Sequence, residues 1–204
     1  SMIGVNGVDV DVQLAFVRSL MTDDVRARLA KDDIHAYACR QNGAPGYGRV
    51  EADVLYSLVR TSRPARIVQI GCGVSTAVVL TAAEDAGYRP RLLAVDPFPT
   101  EYLRRMAASH TIDLLARPVE ALGWEPLLAL GPGDLFYVDS THTLGPAGEV
   151  SRIILEMLPR LDTGVLAHFH DIYFPYDYPT DLLDGALFFS HESLSPDMML
   201  LMYL

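Results

Sequence analysis

From Arg66 onward the chain alternates short, wholly apolar segments with helical ones, and this alternation leaves few folds open. Residues 67–70, 92–95, 112–116, 135–138 and 165–169 read as strands; 75–86, 100–109, 119–130 and 147–161 carry apolar residues at helical spacing. Strands that are apolar throughout must be covered on both faces, which is the condition of a parallel sheet between helix layers. Crossovers between parallel strands are almost always right-handed, so the expected fold class is α/β, a doubly wound, mostly parallel sheet. In such a sheet ligands bind beyond the carboxyl ends of the strands, where the strand order reverses. Functional side chains are therefore sought directly after Ile70, Val95, Val138 and Phe169.

Ahead of the alternating part, residues 10–20, 25–34 and 50–59 read as helices, and 42–48 is a Gly- and Pro-rich loop. Residues 1–62 are thus expected to form an N-terminal helical segment packed on an α/β domain of residues 63–204, the whole being one globular unit. Past Asp171 the pattern weakens: 181–189 reads as a helix and 198–203 as a late, antiparallel strand. With 50% hydrophobic and 21% charged residues the chain is globular rather than disordered. No apolar run is long enough to span a bilayer, and no basic segment followed by an apolar one marks a secretory leader. Cys39 and Cys72 form no CxxC pair, which fits a reduced, cytoplasmic protein. A net charge of −10 with a single lysine, Lys31, argues against a nucleic-acid substrate. The scarcity of lysine beside many Ala and Arg fits a bacterial, GC-rich genome.

The turn after the first strand reads Gln69-Ile70-Gly71-Cys72-Gly73-Val74-Ser75-Thr76 and opens a helix. Gly71 and Gly73 suit a tight turn that a ligand approaches closely, and the N–H groups at the helix start can meet polar ligand atoms. Ser75 and Thr76, in the first helical turn, join them as ligand-side residues. The alternative is a purely structural turn. Asp96 ends the second strand, where a carboxylate can accept hydrogen bonds from both ribose hydroxyls of an adenosine. Its alternative role is a local cap or turn, favoured by Pro97.

Together these residues resemble motif I of the class I, Rossmann-like S-adenosylmethionine-dependent methyltransferases, in its "E-I-G-x-G-x-S-T" form. Pro45-Gly46-Tyr47-Gly48, Arg63-Pro64, the run from Asp134 through Asp139 to His142, and that from Gly164 to His170-Asp171 resemble a bacterial branch of sugar and natural-product O-methyltransferases. The resemblance covers about residues 42 to 179. It implies that Gly71 and Gly73 abut the amino-acid part of S-adenosylmethionine, that Asp96 holds its ribose, and that Glu120 stands beside its adenine. For Glu120 the alternative is an acid complementing a helix N-terminus. Where the family has an acid before Ile70 this chain has Gln69, which can hydrogen-bond the cofactor's amino group but brings no charge. Residues 43–48 could form a lid with Tyr47 reaching inward over the cofactor.

Asp139, His142, His170 and Asp171 stand after the fourth and fifth strands. The hypothesis drawn from them is that Asp139 and Asp171 ligate Mg2+ or another divalent cation, with His170 as a third partner, and that His142 is the general base. An imidazole titrating near neutral pH suits that role, typically worth ~10²–10⁴-fold. In the metal-dependent relatives an aspartate followed by a histidine at this spacing has those functions. They often carry two acidic residues, or Asp-Asn, where His170-Asp171 stands here. The alternative is that His168 and His170 hydrogen-bond within the sheet end and Asp171 caps the next turn. Residues 173–179, rich in tyrosine, either wall the acceptor pocket or form a rigid crossover. Trp124 is expected to pack rather than stack on ligand, and His35, His110 and His191 to be surface residues.

The expected activity is methyl transfer from S-adenosylmethionine to an oxygen of a small molecule, with Asp139 and His142 as catalytic residues. Expected partners are a small-molecule substrate and further copies of the chain, without nucleic acid or membrane. Two other readings are a non-catalytic binding domain of the same fold and an NAD(P)-dependent oxidoreductase. The missing third glycine counts against the last.

Overall fold

The computed structural model describes residues 9–142 and 148–171. Five strands, β1 (Arg66–Ile70), β2 (Arg91–Val95), β3 (Asp113–Leu115), β4 (Leu135–Val138) and β5 (Leu166–Phe169), form one parallel sheet in the order β3-β2-β1-β4-β5. The order reverses between β1 and β4, which is where a doubly wound sheet opens a crevice. Val95, Ile70, Val138 and Phe169 lie in register across the sheet, so four strand tips end level with one another.

Successive residues of each strand feed opposite layers, as the pleat requires. Ile67, Leu92, Ala94, Leu135 and Tyr137 enter a core shared with α3 (Ile34–Asn42), α4 (Arg49–Ser62), α5 (Val74–Asp85) and α6 (Glu101–Ala108). Val68, Ile70, Val95, Phe136 and Val138 pack on the other face against Val119, Leu127, Ile153 and Met157. Helix α5 is buried on nearly every side, and its sequence is apolar all round rather than striped. Helices α1 (Val10–Leu20) and α2 (Asp23–Lys31) lie outermost. No helix among the described residues is long and apolar enough to cross a membrane.

Three segments depart from the sequence expectation. The helix read over 25–34 ends at Lys31, and a separate α3 starts at Ile34 because the Asp33 carboxylate accepts the Ala36 N–H at 2.8 Å; Gly43, at φ 78°, ends it. The stretch 119–130 splits into a 3-10 turn (Val119–Ala121) and a short α7 (Glu125–Leu128) around Gly123. The helix expected over 147–161 is described as α8 (Glu149–Arg152), a π turn (Ile153–Met157) and a 3-10 turn (Leu158–Arg160). Pro159 accounts for the change, since it cannot donate back to Leu155 and its ring crowds that carbonyl. The segments read at 173–179, 181–189 and 198–203, and His191, lie outside the described residues.

At the opposite end of the sheet Asp134, 5% exposed, joins three strands. Its Oδ1 accepts the Arg66 N–H at 2.8 Å, its Oδ2 the Gly131 N–H at 3.0 Å, and its carbonyl the Leu166 N–H at 2.8 Å. Asp134→Ala leaves the part-buried N–H groups of Arg66 and Gly131 without this partner and is expected to cost about 1–3 kcal/mol, measured by urea unfolding.

Candidate active site

The turn after β1 is held from behind by one buried amide. Gln69, fully buried, donates from Nε2 to Ser75 Oγ at 2.9 Å and to the Gly71 carbonyl at 3.3 Å; its Oε1 accepts from Thr76 Oγ1 at 3.1 Å. Thr76 Oγ1 in turn accepts the Gly73 N–H at 3.1 Å. Two expectations are corrected by this. Gln69 has both amide atoms engaged inside the turn rather than offered to a ligand. Thr76 is fully buried, so its hydroxyl braces the turn instead of facing the crevice. Ser75, almost as buried, still borders it.

Gly71 is required for a reason the motif does not state. Its φ is 77°, and a Cβ there would lie 1.6 Å from the Asp139 carbonyl oxygen. The turn therefore rests directly on the end of β4, where Asp139 N donates to the Ile70 carbonyl at 2.8 Å. Gly73, at φ 154°, adopts a conformation open to glycine alone. The three N–H groups of the turn are spent internally: Gly71 on Val95 O, Cys72 on Asp96, Gly73 on Thr76.

Asp96 is half-buried at the tip of β2 and touches the glycine turn. Its Oδ2 accepts the Cys72 N–H at 3.0 Å, and its Oδ1 the Phe98 N–H at 2.7 Å. The carboxylate thus serves both in the local turn before Phe98 and across to β1. Each oxygen keeps a lone pair for a further donor. The Cys72 thiol points inward, and burial pushes its pKa well up, so it stays a protonated, unreactive thiol. Glu120 stands exposed in the 3-10 turn after β3, the strand next to β2.

A hollow of about 140 Å³ opens between this turn and the 42–48 loop, lined by Asn42, Gly46, Tyr47, Gly73, Ser75 and Asp139 among others. Asn42 accepts from Thr100 Oγ1 at 2.9 Å, tying the start of the loop to the start of α6. Tyr47 has a left-handed backbone, φ 61°, and turns its ring onto His170, 4.5 Å between centroids. Burial raises the Tyr47 phenol, so it remains neutral. His35, expected to be a plain surface residue, instead approaches the Tyr47 carbonyl at 3.0 Å and Cys39 Sγ at 3.3 Å. Two larger hollows, of about 330 and 550 Å³, include the residues that begin or precede strands, and so lie away from the tips. Trp124 packs as expected, with the guanidinium groups of Arg152 and Arg160 each 4.3 Å from its ring centre.

Beside the hollow the acids and histidines converge. His142 Nε2 lies 3.6 Å from Asp139 Oδ1 and 3.3 Å from Asp171 Oδ2; His170 Nε2 lies 3.3 Å from Asp171 Oδ1. Asp171 reaches the cluster because β5 has ended and its own φ is 60°, which swings it back. Asp139, His142 and Asp171 each offer a ligand atom within 4.8 Å of the others. The third member of this constellation is His142; His170, which the expectation named, lies against Asp171 alone and packs its ring at a tilt on Tyr47. Asp139 and then Asp171 push the His142 imidazole up to about 9 against the opposing effect of burial. The ring is thus charged at neutral pH, not titrating there as expected. His142 in turn holds Asp171 below the ordinary carboxylate range. His168 is the reverse case: burial, aided by His170, lowers it to about 4, and its Nε2 is enclosed without a partner among the described residues.

These two histidines give opposite pH dependences. Above pH 6.5 the unfolded His142 is neutral while the folded one is protonated, so its stabilisation is full below about 6.5 and lost as pH rises through about 9. Between pH 6.5 and 4 the unfolded His168 takes up a proton that the folded one refuses, so stability falls with acidification. In chelator-treated protein, His142→Gln is expected to flatten the alkaline decline in melting temperature, and His168→Phe the acid one, by calorimetry across pH.

A family model described as a methyltransferase domain matches residues 68–172, from within β1 to just past β5. No curated protein matches the chain. Among solved structures it is similar to the crystal structure of SAH-bound Podospora anserina methyltransferase PaMTH1, with 18% identity over 82% of this chain and 72% of that one and a TM-score of 0.45. The matched family segment takes in just over half of the chain and carries all of the sheet but the first two residues of β1, together with the glycine turn, Asp96 and the acid–histidine cluster; the chain belongs to the methyltransferase-domain family.

Proposed function

We propose that this chain moves a methyl group from S-adenosylmethionine to a hydroxyl oxygen of a small molecule. The observation that carries the reading is the contact between Asp96 and the Cys72 N–H. It joins an acceptor suited to a ribose diol to a glycine turn that borders the hollow.

The spent N–H groups of the turn bear on which cofactor fits. A dinucleotide brings a pyrophosphate, which is normally met by such donors at the helix start. Here the Gly71, Cys72 and Gly73 N–H groups leading into that helix are already bonded, and the Asp139 carboxylate lines the neighbouring space. A ligand with no phosphate and a positive sulfonium suits that environment. This favours the methyl-donor reading over the nicotinamide one. Asp96→Ala is expected to weaken S-adenosylhomocysteine binding about 100-fold by titration calorimetry, since two charge-assisted hydrogen bonds are lost. Unchanged affinity, or binding of NADH in its place, would overturn the reading.

The donor set of Asp139, His142 and Asp171, two oxygens and one nitrogen, fits a divalent cation. Such a cation, when bound, supplies Lewis acidity that lowers the pKa of an acceptor hydroxyl. The side chains supply the rest. Asp139 and Asp171 gather negative charge at the strand tips, Tyr47 and His170 wall the space, and His142 holds a proton between the two carboxylates. His142 gives up that proton only when the two carboxylates are engaged elsewhere, because next to both it keeps it. Adding Mn2+ to chelator-treated protein at pH 7.5 is therefore expected to release about one proton per chain, read by indicator dye, and His142→Ala to abolish the release. Full turnover in the presence of EDTA would remove the metal from the reading and leave the methyl transfer in place.

A further inference from the structure

Helix α1 is fastened at one end. Leu20 is its buried residue, and Thr61 Oγ1 donates to the Leu20 carbonyl at 3.2 Å. Its other large apolar side chains face solvent: Val10 is 42% exposed, Leu14 44%, Val17 36%, Val12 65% and Phe16 52%. Val10, Leu14 and Val17 recur at i, i+4 and i+7 and so form one stripe. A helix of 11 residues is marginal by itself in water, and an uncovered apolar stripe marks a contact surface.

The flanking charges indicate what covers it. Asp11 and Arg18 are exposed, seven residues apart, and lie on the same flank of the stripe. When two copies of α1 pair antiparallel and cross between Leu14 and Ala15, each Asp11 meets the partner's Arg18, and the two-fold axis makes the match twice. A parallel pair sets Asp11 level with Asp11 and has no such match. A membrane surface suits the helix poorly, since Asp9 and Asp11 outnumber Arg18 on its polar side.

We propose that α1 is a self-association surface on which two copies of this chain pair antiparallel through Val10, Leu14 and Val17, with Asp11 and Arg18 setting the register. A helix of this length runs about 16 Å, and the contact falls short of the roughly 800 Å² per partner of a stable complex. The dimer is therefore a weak, reversible one.

Sedimentation velocity of the full chain over a concentration series tests this, with circular dichroism to verify that each variant is folded. The expected result is a monomer–dimer equilibrium that Leu14→Glu abolishes. Arg18→Asp, which sets acid against acid, is expected to weaken it at least about fivefold, and adding Asp11→Arg to that change to restore it to near the original value. A monomer at every concentration overturns the proposal and points to cover from within the chain, for which the apolar run at 198–203 is available. A dimer indifferent to Leu14→Glu, or one that the double reversal fails to restore, overturns it as well.

Discussion

The site depends on one close approach: the glycine turn after β1 lies against the backbone at the end of β4, with no side chain between Gly71 and the Asp139 carbonyl. The Asp139 N–H to Ile70 hydrogen bond closes the same junction from the other side. Because of it, the turn bordering the hollow and the residue that begins the acid–histidine cluster belong to one crevice rather than to two neighbouring ones. Any side chain at position 71 would separate them.

The electrostatics of the crevice follow from what is already satisfied. The turn's own donors are turned inward, so it offers shape more than hydrogen bonds. Negative charge is concentrated across the strand tips on Asp96, Asp139 and Asp171, and in the described chain it is balanced in part by the proton on His142. An acidic crevice of this kind is complementary to a positively charged ligand. It also explains why a histidine expected to titrate near neutrality holds its proton well above it: two carboxylates outweigh burial.

Much of this was legible in the sequence. The wholly apolar strands gave the parallel sheet, and their ends marked Asp96, Asp139 and Asp171, because ligands of such a sheet bind beyond the carboxyl ends of its strands. What escaped was decided by side-chain contacts and backbone turns that apolar spacing does not carry. Nothing local showed that Gln69 would turn its amide wholly into the bend, or that His35, one helix away, would hold the loop carrying Tyr47. The choice between His142 and His170 beside Asp171 rested on backbone turns at 142 and 171, both with positive φ, which no periodicity encodes. The break of the last helix is encoded by Pro159 and the start of α3 by Asp33, both of which override the apolar spacing around them.

The strand order has a kinetic corollary. β1 meets β2 after a single crossover, but meets β4 only once two further strands and their helices have been laid down, and the crevice lies across that second pairing. Closing the longer loop carries the greater entropic cost, which the chain must meet before that pairing rewards it. A ligand held at the tips of β1 and β4 would thus act as a clasp on the pairing between the two central strands farthest apart in sequence.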